Sequence, residues 1–310
     1  MGHIAFVFPG QGSQAVGMGR ELGESSPRWE AAAAALGMDL RRLCFEGPEA
    51  ELTLTANTQP AILTVSMIAL DALTAAGIRC AFAAGHSLGE YTALVAAGAL
   101  SFGVAVRTVR ARGQFMQEAV PAGQGAMAAV IGLDREAVQA ACAEAQAAGV
   151  VQVANMNAPG QTVIAGTRDA VQRAVEIARA RGAKRAILLP VSAPFHTALM
   201  EPAARRLEDV LRAIAFRDLQ VPVVTNVDAV PLTAGEKVLD SLLRQVTAPV
   251  RWEDVVGRLV AEGVDTFVEV GPGKVLCGLI RRIAAGARAL NVEDRASLEA
   301  TVGALKECDP

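Results

Sequence analysis

Histidine is scarce in this chain, and several patterns that would announce a function outright are missing. The five cysteines, Cys44, Cys80, Cys142, Cys277 and Cys308, are odd in number and widely spaced. No C-x-x-C pair or Cys/His cluster occurs, so neither a disulfide framework nor a zinc site is indicated, and reduced thiols fit best. Net positive charge is missing too. The 29 Lys and Arg against 32 Asp and Glu give −3, which argues against nucleic acid as a bulk partner but leaves a local basic patch open. The start, MGHIAFVFPGQG, shows neither the basic region nor the cleavage site of a signal peptide, and it lacks the Ser or Thr at position 6 that myristoylation needs. The longest apolar helical pattern, AILTVSMIALDALTAAG, is interrupted by Asp71 and reads as too short to span a bilayer. The expectation is a cytoplasmic protein with no membrane segment and no bound metal.

What the chain does have is apolar residue. At 310 residues, 52% hydrophobic and 20% charged, it can bury a large core in one large domain or two unequal ones. IAFVF (4–8) reads as a buried strand ended by Pro9-Gly10, and helical patterns fill about 17–36 and 58–76. RCAFAA (79–84) is a short strand, followed by helices at about 88–99 and 102–120. From 124 to 191 the order becomes strand, helix, strand, strand, helix, strand, the βαββαβ ferredoxin-like unit. Alternation then returns: helix 197–214, strand VPVVTNV, helices 235–246 and 251–262, strand DTFVEVG, helix 273–284, strand RALNV and a last helix. The predicted fold is α/β. A large domain (1–123 and 192–310) carries a mostly parallel sheet, and a small domain (124–191) is inserted into it, leaving a crevice between them.

GHSLG (85–89) stands where strand 79–84 meets the next helix. G-x-S-x-G at such a junction is the nucleophile-elbow pattern, in which flanking glycines let neighbouring backbone approach a serine held out at a helix N-terminus. A glycine-rich turn with a capping serine would carry the same five letters. A serine nucleophile needs a base, and only His3, His86 and His196 are available. His3 starts the first strand. His86 adjoins Ser87 and points elsewhere at a sharp turn, where it can brace the elbow. His196, in LLPVSAPFHTALM, lies where the small domain rejoins the large one, and elimination makes it the best base.

In SFGVAVRTVRARGQFMQEAV, Ala105, Thr108, Arg112, Phe115 and Ala119 form one helical row beside the apolar row Val106, Val109, Gly113, Met116 and Val120. Arg112 is therefore the one charge on an inward flank. Its planar fork calls for a carboxylate, from an internal acid or from a substrate. FPGQGSQ (8–14) matches G-x-G-x-x-A, yet the second strand with an acidic end that a dinucleotide site requires is absent. A loop after a strand can instead offer an oxyanion-hole N–H to partner that of Leu88.

Eight blocks occur in order: FPGQGSQ, GHSLGEYTALVAAGAL, RGQFMQEAVP, ANMNAPGQTVIAG, PVSAPFHTALM, TNVDA, RQVTAPVRW and EVGPGKVLCGLI. Together they resemble the malonyl-CoA:acyl-carrier-protein transacylase family, the stand-alone acyltransferases of type II fatty-acid synthesis. The resemblance implies a hydrolase-like α/β domain with a ferredoxin-like insertion and a ping-pong transfer from malonyl-CoA to a carrier's phosphopantetheine thiol. It makes Ser87 the nucleophile and His196 the base, with Gln11 and Leu88 as oxyanion donors. Arg112 would grip the malonyl carboxylate, and the main-chain carbonyl of Gln245 would orient His196. Asn155 and Asn157 fall in a motif near the pocket and take a supporting role. No metal or redox cofactor is implied, and a monomer is expected. Given an acidic carrier, Lys274, Arg281 and Arg282 form the expected docking rim, with Lys184 and Arg185 as weaker candidates. Alternatives are a trans-acting polyketide acyltransferase, which would share every residue named, and a serine acyl-hydrolase, which would not need Arg112. A non-enzymatic interaction module would have no use for Ser87, His196 and Arg112 together.

Overall fold

The structure, a computed structural model, describes residues 2–191 and 193–306. Cys308 and residue 192, the expected first residue of the second large-domain segment, lie outside the described residues. Among the described residues, ten strands form two sheets. The first contains β1 (His3–Phe8), β2 (Phe82–Gly85), β7 (Val223–Val224), β8 (Pro231–Leu232), β9 (Val264–Val270) and β10 (Arg288–Val292). Their order is β10-β9-β1-β2-β7-β8, parallel throughout except for the β7–β8 pair.

β1 shows why this sheet is central. Phe6 and Phe8 enter one apolar cluster while Ala5 and Val7 enter another on the opposite face. A strand covered on both faces reads as a continuous apolar run, which is how IAFVF looks in sequence. The helix Thr55–Ala75 packs on one face and is mostly buried. Its 21 residues reach the length of a membrane span, contrary to the shorter extent expected from sequence, because the helix begins before Pro60. Here the apolar length faces protein.

The second sheet holds β3 (Gly125–Ile131), β4 (Val151–Ala158), β5 (Gln161–Thr167) and β6 (Arg185–Leu188). The order β4-β5-β3-β6, antiparallel throughout, is the ferredoxin-like arrangement. One face packs on helices Arg135–Ala145 and Arg168–Ala180. The other presents Met127, Ala154, Val163 and Ala165 toward Leu189, Val191 and Phe195. The edge of β4 is stitched to the first unit, where Met156 N donates to Val250 O at 2.8 Å and Val250 N donates to Ala154 O at 2.9 Å. That seam sets the crevice.

Local differences from the sequence reading have local causes. The expected helix 17–36 is two helices, Arg20–Gly23 and Pro27–Leu36, because Ser26 caps the second and Pro27 starts it. Two short helices, Leu40–Glu46 and Glu49–Leu52, were not anticipated. The strand expected over VPVVTNV shrinks to Val223–Val224, and the chain then turns so that Asn226 enters the site.

Candidate active site

Ser87 follows β2 directly and precedes the helix Leu88–Ala96. Its φ of 51° and ψ of −102° lie outside the ordinary regions for an L-residue, a strain that a nucleophile elbow stores. The glycines on either side are required by contact. A Cβ on Gly85 would sit 2.0 Å from the backbone of Gly89, and one on Gly89 would sit 2.1 Å from Phe8 O. Ser87 makes no side-chain cap to its helix, which removes the capping-serine alternative.

The Ser87 hydroxyl instead meets two cationic or basic groups. Oγ lies 2.7 Å from His196 Nε2 and accepts from Arg112 Nη2 at 3.0 Å. On its far side the His196 ring uses Nδ1 to bond Gln245 O at 2.9 Å, so Nδ1 carries the proton and Nε2 faces serine with a lone pair. Among the described residues, the ring's hydrogen-bond partners are Ser87 Oγ and Gln245 O, and neither is a carboxylate. Burial first, and then the positive charge of Arg112, pushes His196 down to about 3, so the ring is neutral at physiological pH. A neutral imidazole is the form that can accept a proton.

Arg112 is 1% exposed on the helix Phe102–Glu118, on the inward row expected from its spacing. Nη1 donates to Gln59 Oε1 at 2.9 Å, and Nη2 also donates to Gln245 Oε1 at 3.0 Å. The Tyr91 ring lies 5.3 Å from the guanidinium carbon. Nε has no hydrogen-bond partner among the described residues. Among the described residues no carboxylate hydrogen-bonds the guanidinium, whose partners are the neutral oxygens of Gln59, Ser87 and Gln245.

A cavity of about 150 Å³ opens over this group, lined by Gln11, Leu88, Met127, Asn155 and Phe195 among others. A second, of about 220 Å³, shares Gln11, His86, Asn155 and Leu189 with it. The second runs between the loop Pro9–Ser13 and the helix Val275–Ile283. His86 bonds Asn157 Oδ1 at 2.9 Å and lies beside Trp252, bracing the elbow against β4. Among the described residues, no three His, Cys, Asp or Glu side chains are grouped to share a metal ion.

The acyl transferase domain family matches residues 5–306. A malonyl CoA-acyl carrier protein transacylase of Bacillus subtilis is 50% identical over 99% of this chain and 98% of its own length. One from Escherichia coli K12 is 52% identical over 91% of this chain and 93% of its own. The chain belongs to the malonyl-CoA:acyl-carrier-protein transacylase family. Among solved structures, a Vibrio cholerae acyl carrier protein S-malonyltransferase superposes with a TM-score of 0.94 at 48% identity, covering 96% and 99% of the two chains. A malonyl-transacylase in complex with a type II polyketide-synthase acyl-carrier protein gives 0.95 at 45% identity, covering 97% and 99%. Acyltransferase activity and the two-unit α/β architecture go with that membership.

Against the transacylase family background, the structure brings Ser87, His196, Arg112, Gln245, Gln11 and Leu88 to one place. The expected docking rim sits apart from it. Lys274 pairs with Glu293 at 3.1 Å, Arg281 donates to Ala289 O at 2.9 Å, and Arg282 donates to Pro159 O at 2.8 Å and to Gln161 Oε1. All three are exposed, yet each is engaged within the chain. Their helix reaches the second cavity through Val275, Leu276 and Leu279. Lys184 and Arg185 are exposed at the start of β6.

Three buried polar residues of the site escaped the sequence reading. Gln59 holds the Arg112 fork, Asn226 Oδ1 accepts from Ser87 N at 2.7 Å, and Glu90 accepts from Asn226 N at 2.8 Å. The available signal was Glu90 itself, the one charge in the helix LGEYTALVA, three residues after the serine. Asn226 and Gln59 carry no such signal.

Proposed function

We propose that this protein transfers the malonyl group of malonyl-CoA to the phosphopantetheine thiol of an acyl carrier protein, through a malonyl ester on Ser87, in fatty-acid synthesis. The observation that carries the proposal is the sharing of one serine oxygen by a neutral imidazole and a buried guanidinium. His196 Nε2 takes the Oγ proton as Oγ attacks the thioester carbonyl carbon, and the carbonyl electrons move to oxygen. The amides of Gln11 and Leu88 receive that oxyanion, at the N-terminus of a helix whose dipole favours it. The carbon–sulfur bond then breaks, and the departing CoA sulfur takes the proton back from His196. The carrier thiol repeats the sequence in reverse: it loses its proton to His196, attacks the ester, and Ser87 regains a proton.

The acyl group's far carboxylate finds its partner in Arg112, which lies beside the reacting oxygen with donor capacity to spare. The second cavity, largely apolar, suits a pantetheine arm reaching in from solvent past the helix Val275–Ile283. The unit 124–191 acts as the inserted domain that covers the crevice, with Met127 and Asn155 over the serine. The carrier would arrive on the side of the helix Val275–Ile283, where the exposed Lys274, Arg281 and Arg282, each also bonded within the chain, would meet an acidic surface.

A polyketide carrier is a second reading, favoured by the structural likeness to a transacylase seen in complex with one. Hydrolysis is the weaker alternative, since a hydrolase has no use for Arg112. Intact-mass measurement after mixing with malonyl-CoA is the direct test. One malonyl adduct is expected on the wild-type protein and none on Ser87→Ala; a persistent adduct on the alanine variant removes Ser87 from the mechanism.

A further inference from the structure

Glu90 is the buried acid at the site that the chemistry above does not use. It is 1% exposed and lies three residues after Ser87, on the first turn of the elbow helix. Its Oε2 accepts from two donors, Asn226 N at 2.8 Å and Gln245 Nε2 at 3.0 Å. Ser241 Oγ lies 3.5 Å from its other oxygen.

Both donors lead directly to the reacting groups. Asn226 uses Oδ1 to hold Ser87 N at 2.7 Å and Nδ2 to hold Gly85 O at 2.7 Å, so it grips the strained turn on both sides of the nucleophile. The Gln245 amide donates to Ser87 O at 3.1 Å, while its Oε1 accepts from Arg112. The main chain of the same residue supplies the carbonyl that holds His196 Nδ1. One carboxyl oxygen thus ties together the elbow, the chain after β7 and the helix Val238–Thr247. These are the segments that place nucleophile, histidine acceptor and guanidinium relative to one another.

We propose that Glu90 is the positioning residue of this site, its Oε2 fixing the Gln245 and Asn226 amides so that Ser87, His196 and Arg112 stay in register. This rests on the function proposed above. What matters is an acceptor oxygen at that point, because both neighbours are donors and burial denies them water. Burial pushes the carboxyl up to about 7, against the pull of the Asn226 and Gln245 donors, so it is not held firmly as an anion at neutral pH. A protonated carboxyl or a glutamine amide can offer the same oxygen while turning its donor toward Ser241 Oγ, which donates to Oε1 in this structure and, as a hydroxyl, can accept instead.

The experiment is single-turnover malonylation of Ser87 by malonyl-CoA, followed by intact mass, with KM and the maximal rate separated. Glu90→Ala should lower the maximal rate roughly 100-fold, on the scale of losing the orientation of a general base, with KM within about 3-fold. Glu90→Gln should restore the rate to within about 5-fold of wild type, which a role in charge alone would not allow. Gln245→Met, which keeps the main-chain carbonyl and the bulk, should be slowed at least as much, since it also loses the bonds to Arg112 and Ser87 O. If Glu90→Ala does not fold, Glu90→Met, which keeps the bulk without an acceptor, takes its place with the same expected loss. A wild-type rate in Glu90→Ala or in Gln245→Met overturns the proposal, as does a Glu90→Gln rate as low as that of alanine. Wild-type protein that forms no adduct on Ser87 would instead overturn the proposed function.

Discussion

The two sheets of this molecule bury very different interiors. Among the described residues from Gly125 to Leu188, the buried polar side chains are Asn155 and Thr162, and Asn155 faces the crevice. The parallel-sheet unit buries Gln59, Glu90, Arg112, His196, Asn226, Gln245 and Glu269. An apolar interior is satisfied by volume and shape, whereas each buried polar group needs a placed partner. The antiparallel unit is thus held by pattern and packing. In the parallel unit, Glu269 holds the amides of Leu276 and Cys277 at the start of the helix Val275–Ile283. The other six form a connected polar network that packing alone would not favour, and it converges on Ser87.

Damage to the two regions should therefore appear in different measurements. The largest effect is expected at Arg112. Arg112→Ala should cut malonyl transfer by about two to three orders of magnitude, roughly 3–4 kcal/mol, because two charge-assisted hydrogen bonds to the substrate carboxylate are lost. Acetyl transfer should hold or rise, since acetyl-CoA leaves the wild-type guanidinium buried and unpaired. Comparing kcat/KM for the two thioesters checks this. Equal losses for both would make Arg112 a structural cation and blur the contrast between the regions.

Next comes a core truncation on the other side. Ile164, 1% exposed, lies between the small sheet and its helices. Ile164→Ala should cost about 2–4 kcal/mol of stability through the cavity it leaves. Malonylation of Ser87 should stay within about 2-fold below the melting transition, because no polar partner of the site is disturbed. Urea unfolding beside single-turnover rates would show the two quantities separating. Loss of the reaction in step with stability would mean the small sheet also sets the geometry around Ser87.

The smallest change is expected with pH. His196 is held down to about 3, so it stays unprotonated as pH falls from 8 to 5, a window in which an ordinary histidine would gain its proton. Protonation would remove the base, so its absence keeps the rate level. Ser87 malonylation should vary less than about 2-fold across this range. An acid limb centred near the ordinary histidine value in a pH–rate profile would show that burial and Arg112 do not hold the ring neutral.

How much was legible from sequence follows the same divide. Every element from β3 to β6 was readable, because period-two and helical patterns there answer only to an apolar interior. In the other unit the pattern misled at the Ser26-Pro27 break and over two short helices, and once where polar function intrudes. VPVVTNV looks like a strand, but Asn226 leaves the sheet to hold Ser87 N. Ser87 was visible because the elbow's glycines are local requirements, and Arg112 because its helical row is otherwise uncharged. His196 emerged by elimination among three histidines.

The sequence by itself determined the two-unit α/β plan, the elbow and the inward arginine, since each depends on neighbours within a few positions along the chain. Only the tertiary structure decided that Gln59, Glu90, Asn226 and Gln245 share one network with them. Glu90 and Gln245 are 155 positions apart, and Arg112 and Gln245 are 133. Hydrogen bonds over such separations form where crossover connections return distant segments to one end of a sheet, and no local periodicity records which amides will meet there.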